Sequence, residues 1–166
     1  MRGPLALVGY MGSGKTSVGR TLARRLGWEF VDLDQAVEKE AGRKIPEIFT
    51  EFGEEHFRDL EHRVLIDALN GTSERVVACG GGVVVRTDSR IRLSEVPTVF
   101  LNEDVHILYE RTRRPGRPLR GGGYEEFAAR FEERLPHYRE VADWEVLVRN
   151  RPRRQVAEEI AQWLND

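Results

Sequence analysis

The chain has 166 residues, a formal net charge of −2 and a single cysteine, Cys79. That length fits one domain with a real core, the charge gives no global reason to expect nucleic acid or an anionic membrane as partner, and one cysteine excludes an internal disulfide and any cysteine-based zinc site. No apolar run approaches the roughly 20 residues that span a bilayer, and a strand begins within a few residues of the N-terminus, leaving no room for a signal peptide, so a cytoplasmic protein is expected.

Residues 5–8 (Leu-Ala-Leu-Val) read as a buried strand. They run into Gly9-Tyr10-Met11-Gly12-Ser13-Gly14-Lys15-Thr16, which matches the G-x-x-x-x-G-K-[ST] phosphate-loop pattern. Residues 15–26 read as a helix with Val18, Leu22 and Leu26 on one face. Strand, glycine loop and helix are the context that gives this motif its meaning. Glycines let backbone N–H groups approach an anion without an intervening Cβ, and the helix N-terminus adds partial positive charge. Lys15 is placed to reach the β- and γ-phosphates, and the Thr16 hydroxyl to ligate Mg²⁺.

Residues 28–33 read as a second strand carrying Asp32-Leu33-Asp34. Alternation along a strand puts both carboxylates on one side, at the edge where open α/β sheets bind ligands. One carboxylate can organise Mg²⁺ and the other can accept a hydroxyl proton; the plainer role for Asp34 is to cap a helix starting near Gln35. Helices are expected over 35–41, 45–52 and 54–69, with Gly53 breaking the last two apart. Arg58 and Glu61 share a face at i, i+3, and their spacing alone favours a surface ion pair.

Residues 76–79 form a third strand that ends in Gly80-Gly81-Gly82, a sharp turn or a place where a ligand comes close. Cys79 reads as a small buried apolar residue. A short helix over 88–93, a strand over 98–101 and a helix over 104–113 follow. The stretch 113–123 holds four arginines, two prolines and four glycines with no apolar period, and reads as a lid that closes over a nucleotide. A helix over 124–141 is expected to bend or break at Pro136. A strand over 146–148 and an amphipathic helix over 152–164 complete the chain. Alternating strands and helices imply a parallel sheet covered on both faces.

The pattern as a whole resembles shikimate kinase. The resemblance covers essentially the full chain and rests on the phosphate loop, Asp32-Leu33-Asp34, Phe57-Arg58-Asp59-Leu60-Glu61, Gly80-Gly81-Gly82, Arg117-Pro118-Leu119 and Arg134-Leu135-Pro136-His137-Tyr138. It implies a P-loop NTPase fold of the nucleoside monophosphate kinase type, with a five-stranded parallel sheet in the order 2-3-1-4-5, flanked by helices. One domain is expected over 1–166, with substrate-binding helices at about 34–62 and a lid at about 113–123. The implied reaction is ATP-dependent phosphorylation of the 3-hydroxyl of shikimate.

By the same resemblance Asp34 binds the shikimate hydroxyls and accepts the proton. Arg58 and Arg134 hold the carboxylate, and Gly80, Gly81 and Gly82 line the pocket. Gly12, Ser13, Gly14, Lys15, Thr16 and Ser17 bind ATP, Arg117 folds from the lid onto the phosphates, and Arg111 and Arg151 flank the adenine. Thr16 and Asp32 serve Mg²⁺. Shikimate and ATP are the expected small-molecule partners of a monomer, with no nucleic acid and no membrane. Rival readings are another small-molecule kinase of this fold, such as a gluconate or adenylate-kinase-like enzyme, opposed by the Phe57–Glu61 and Gly80–Gly82 motifs, and a non-catalytic nucleotide-binding module, opposed by the joint presence of Lys15, Asp34 and Arg117.

Overall fold

The computed structural model describes residues 3–113 and 123–166. Among them, five strands form one parallel sheet: β1 (Leu5–Val8), β2 (Glu29–Asp32), β3 (Arg75–Ala78), β4 (Thr98–Asn102) and β5 (Trp144–Leu147). Their order is β2-β3-β1-β4-β5, as the resemblance implies. β1 is central, with Leu7 paired to Ala78 on one side and Val99 on the other. A central parallel strand is covered on both faces, which is why Leu5 to Val8 is apolar without interruption.

The alternation of β1 sorts the core into two layers. Leu5 and Leu7 pack against α1 (Lys15–Leu26) and α7 (Arg153–Asn165), through Val18, Leu22, Val156 and Ile160. Ala6 and Val8 face the other side. That layer is built from α2 (Leu33–Ala41), α3 (Ile45–Leu69), α4 (Thr87–Ser94), α5 (Val105–Thr112) and α6 (Tyr124–Val141). No helix among the described residues is long and apolar enough to cross a membrane.

Two local expectations are corrected, the strand placement of Asp34 and a break at Pro136. Asp34 does not sit on β2. The strand stops at Asp32, whose carboxylate accepts a hydrogen bond from the Gln35 amide at 3.1 Å and so caps α2. Asp34 therefore lies in the first helical turn, where a carboxylate also suits the helix dipole. Residues 45–69 hold the two helices expected, joined across a kink at Gly53, whose φ of 85° and ψ of 171° are not helical. α6 is continuous through Pro136. The proline removes one amide donor, but the Glu132 residue four positions earlier is exposed to water, and buried Phe131, Tyr138 and Val141 hold both sides of the gap to the core.

The second residue of the phosphate loop is part of the core. Tyr10 is fully buried, its ring centroid 4.7 Å from Phe127 and 5.4 Å from Phe131, and its hydroxyl donates to the Phe127 carbonyl at 2.8 Å. Tyr10→Phe keeps the ring and deletes the bond. It should cost about 1 kcal/mol of stability and lower the melting temperature by ~2–4 °C, measured by thermal and urea denaturation. An unchanged midpoint in both would show that the hydroxyl contributes nothing.

Candidate active site

The phosphate loop leaves β1 at the sheet's switch point, between β3 and β4. Gly9 has φ 155°, and a Cβ there would lie 2.7 Å from the Leu101 carbonyl oxygen of β4; only glycine lets the chain pass so close. The loop closes at Gly14, the residue before α1, so the first amides of that helix are available to an anion. Lys15 turns back beneath the loop. Its ammonium donates to the carbonyls of Gly9 at 2.7 Å and Tyr10 at 3.0 Å, and to Ser13 Oγ at 3.4 Å. Burial pushes its pKa down to about 8, against the pull of the Asp34 and Asp32 carboxylates.

Thr16 Oγ1 donates to Asp32 Oδ2 at 3.1 Å, directly beside the loop. A hydroxyl and a carboxylate are the hard oxygen donors that suit Mg²⁺. No group of three His, Cys, Asp or Glu side chains among the described residues is arranged to hold an ion. The pair thus fits a magnesium ion that takes its remaining ligands from water and phosphate, as is usual for that metal.

The glycine turn after β3 is crowded by charged groups. A Cβ on Gly80 would lie 2.7 Å from Asp34 Oδ1 and 3.3 Å from Glu61 Oε2, and one on Gly82 would lie 2.7 Å from Arg58 Cζ. The turn is glycine because these side chains occupy the space. Arg58 and Glu61 are not a surface pair: they are 9% and 2% exposed, and Arg58 Nη1 donates to Glu61 Oε1 at 2.9 Å. The spacing argument failed because it saw only the helix and not the turn packed over it. Burial raises the Glu61 pKa, opposed chiefly by Arg58. Arg134 of α6 is half-buried, with its guanidinium 5.9 Å from the Tyr10 ring, and it too opposes the Glu61 shift. The Tyr138 hydroxyl, one helical turn on, donates to the Gly81 carbonyl and fixes the middle of the turn.

A cleft of about 500 Å³ joins these parts, lined by the loop from Gly12 to Ser17, Asp32, Asp34, Gly80, Gly81, Arg111 and Arg151. Arg111 Nη1 donates to the Gly12 carbonyl at 3.0 Å. Arg151 lines the same end, with its guanidinium bonded to the Leu147 and Val148 carbonyls and paired with Glu159 at 2.6 Å. Cys79 is buried, and burial pushes its thiol pKa up, so it is no nucleophile.

The structure thus gathers Lys15, Thr16, Asp32, Asp34, Gly80, Gly81, Arg111 and Arg151 around one cleft. Arg58, Gly82 and Arg134 lie outside the lining of that cleft, with Arg58 packed against Gly82, and Arg117 lies outside the described residues. Sequence reasoning missed the parts played by Glu61, Tyr138 and Tyr10. Glu61 had a signal, its spacing from Arg58; the two tyrosines had none, because each acts on a residue far away in the chain.

Comparison with known proteins agrees with this geometry. The shikimate kinase family model matches residues 11–165. The chain is 38% identical to a shikimate kinase of Thermodesulfovibrio yellowstonii, over 94% of this chain and 91% of that protein. It is 40% identical to one from Persephonella marina, over 93% and 94% of the two chains. Among solved structures, a shikimate kinase from Acinetobacter baumannii in complex with shikimate superposes with a TM-score of 0.91 at 36% identity, covering 99% of this chain and 93% of that one. With a phosphate loop, carboxylates and arginines set round one cleft, and with relatives of this similarity along nearly its whole length, the chain belongs to the shikimate kinase family.

Proposed function

We propose that the cleft transfers the γ-phosphoryl group of ATP to the 3-hydroxyl of shikimate, with the following division of labour. Asp34 binds the shikimate hydroxyls and takes the proton of the attacking 3-hydroxyl; the phosphorus–oxygen bond to ADP breaks as the bond to that oxygen forms. The observation that carries the assignment is the position of Asp34, in the same cleft as Lys15 and packed against Gly80. Phosphoryl transfer asks for positioning and charge neutralisation more than for covalent chemistry. Gly12, Ser13, Gly14 and Ser17 cradle the phosphates, and Lys15 exchanges its loop carbonyls for phosphate oxygens. Thr16 and Asp32 would hold Mg²⁺, which when bound neutralises charge on those oxygens.

Arg58 and Arg134 bind the shikimate carboxylate, a planar acceptor that matches the guanidinium fork. Glu61 holds Arg58 in place, and among the described residues no salt bridge pairs Arg134 with an acidic side chain. Arg111 and Arg151 flank the adenine. The role of Arg117 over the transferring phosphate rests on its Arg-Pro-Leu context alone. The working unit proposed is a monomer acting in the cytoplasm; sedimentation of the enzyme at assay concentration checks the first point.

The primary test is a coupled ADP-release assay with Mg²⁺-ATP and shikimate, gluconate, AMP or no acceptor. Turnover is expected with shikimate only, and turnover with another acceptor instead would reassign the site. In that assay Asp34→Asn should abolish turnover with ATP binding intact; near-normal kcat would remove Asp34 as the base. Arg58→Ala and Arg134→Ala should raise the KM for shikimate about 10- to 100-fold, the scale of a lost charge-assisted contact, with little change in the KM for ATP. Equal effects on both substrates would sink that pairing.

Lys15 makes the nucleotide end pH-sensitive. Its pKa is about 8 in the folded chain, down from an ordinary 10.5. Between these values the unfolded chain holds a proton that the folded chain lacks, so stability gains a contribution as pH rises through the window. ATP acts the other way, because its phosphates favour the ammonium form. ATP affinity should fall as pH rises above 8, and at pH 8.5 binding should take up a proton. Calorimetry in buffers of different ionisation enthalpy measures that uptake, and Lys15→Met should abolish it. Binding without proton uptake in the wild type would show that Lys15 stays charged.

A further inference from the structure

Glu103, between β4 and α5, is a buried carboxylate with no part in the roles above. It is 6% exposed, in a segment that otherwise faces water. Its Oε1 accepts from the Asp104 amide at 2.9 Å, and its Oε2 accepts from the Asn150 amide at 2.8 Å. The same Oε2 lies 3.3 Å from Arg111 Nη2. That Nη2 also donates to Asn150 Oδ1 at 3.0 Å, while Nη1 of the same guanidinium reaches the Gly12 carbonyl of the phosphate loop at 3.0 Å. One carboxylate therefore ties both ends of α5 to a segment distant in sequence, the turn between β5 and α7.

That turn is under strain. Arg149 and Asn150 are the two non-glycine residues with positive φ among the described residues, at 50° and 56°, and they are adjacent. Residues held in the left-handed region persist only where their surroundings impose it, and they concentrate at functional sites. Here the imposing contact is the Glu103 bond to the Asn150 amide. A buried charge is retained only if paired and hydrogen-bonded, and of the three partners of Glu103, Arg111 lines the cleft and Asn150 directly precedes Arg151, which lines it too. The turn leads straight into Arg151, which lines the cleft beside Arg111.

We propose that Glu103 is a positioning residue for nucleotide binding: it fixes the Arg111 guanidinium and the 149–151 turn as the two walls of the base-binding end, without touching substrate itself. The inference rests on the assignment of Arg111 and Arg151 to the nucleotide. It accounts for a network whose elements have no common structural need, since α5 and the β5–α7 turn are each already anchored to the sheet by backbone pairing of β4 and β5.

The test compares Glu103→Ala, Glu103→Gln and Arg111→Ala by steady-state kinetics and by direct binding of a fluorescent ATP analogue. Glu103→Ala should raise the KM for ATP roughly tenfold, the scale of one charge-assisted bond, and leave kcat and the KM for shikimate within about twofold, inside the ordinary scatter of a remote change. Glu103→Gln keeps an acceptor for the Asn150 amide and should recover most of the loss; if Glu103→Ala does not fold, the glutamine variant decides, with about a threefold rise expected for loss of charge alone. A merely structural role predicts lower stability with both KM values unchanged or raised together, and either result overturns the proposal. If Arg111→Ala weakens ATP and the Glu103 variants do not, the positioning role fails alone. If Arg111→Ala leaves ATP binding unchanged, the nucleotide assignment of Arg111 fails, and the role of Glu103 with it.

Discussion

The rest of the site depends on how the phosphate loop is held. A loop rich in glycine has little side-chain surface with which to anchor itself, and its own backbone must remain open to an anion. The chain meets this constraint with Tyr10, a large side chain inside the loop that is driven into the core between Phe127 and Phe131. On the other flank Gly9 passes against the Leu101 carbonyl with no space for a side chain. The loop is therefore clamped between β4 and α6 while its amides face the cleft. The same helix carries Arg134 and Tyr138, so one packing contact sets the phosphate loop and the glycine turn in a common frame.

Electrostatics then divides the site in two. At the phosphate end a single ammonium is stored in a dehydrated place, held by loop carbonyls and lowered in pKa because burial disfavours its charge. Such a group gains from an incoming polyphosphate what it lost to desolvation. At the substrate end the charges are arranged differently. Arg58 is neutralised by Glu61 at 2.9 Å, and both are buried. A buried pair of this kind adds little net stability, but it fixes a guanidinium plane in a dry place. The glycine turn lies over the pair, and its backbone forms the wall of the cleft. Tyr138 bonds the Gly81 carbonyl, so the turn is held from the α6 side as well.

Much of this was legible before the fold was known. The phosphate loop, the alternation of strands and helices and the apolar centre of β1 are local patterns, and local patterns survive in one dimension. The failures were equally physical. Asp34 was read as a strand residue because period-two alternation continued through it, but the Asp32 cap on the Gln35 amide ended the strand first. Arg58 and Glu61 were read as exposed because helix spacing says which residues share a face, and nothing about what covers that face. A bend or a break was expected at Pro136 because propensity is a local quantity, whereas its helix runs on unbroken, held by buried residues on both sides.

The sequence by itself determined the chemistry available: a phosphate-gripping loop, a carboxylate pair beside it, and a glycine turn. These follow from residue type and short spacing, which chain connectivity preserves. Only the tertiary structure decided which charges are buried, which are paired and which remain free for a ligand. Lys15 under its loop, Glu61 behind Gly80 and Glu103 between Arg111 and Asn150 each owe their state to neighbours many residues away. Burial and pairing are properties of the packed chain, because desolvation depends on everything that surrounds a group and not on its place in the sequence.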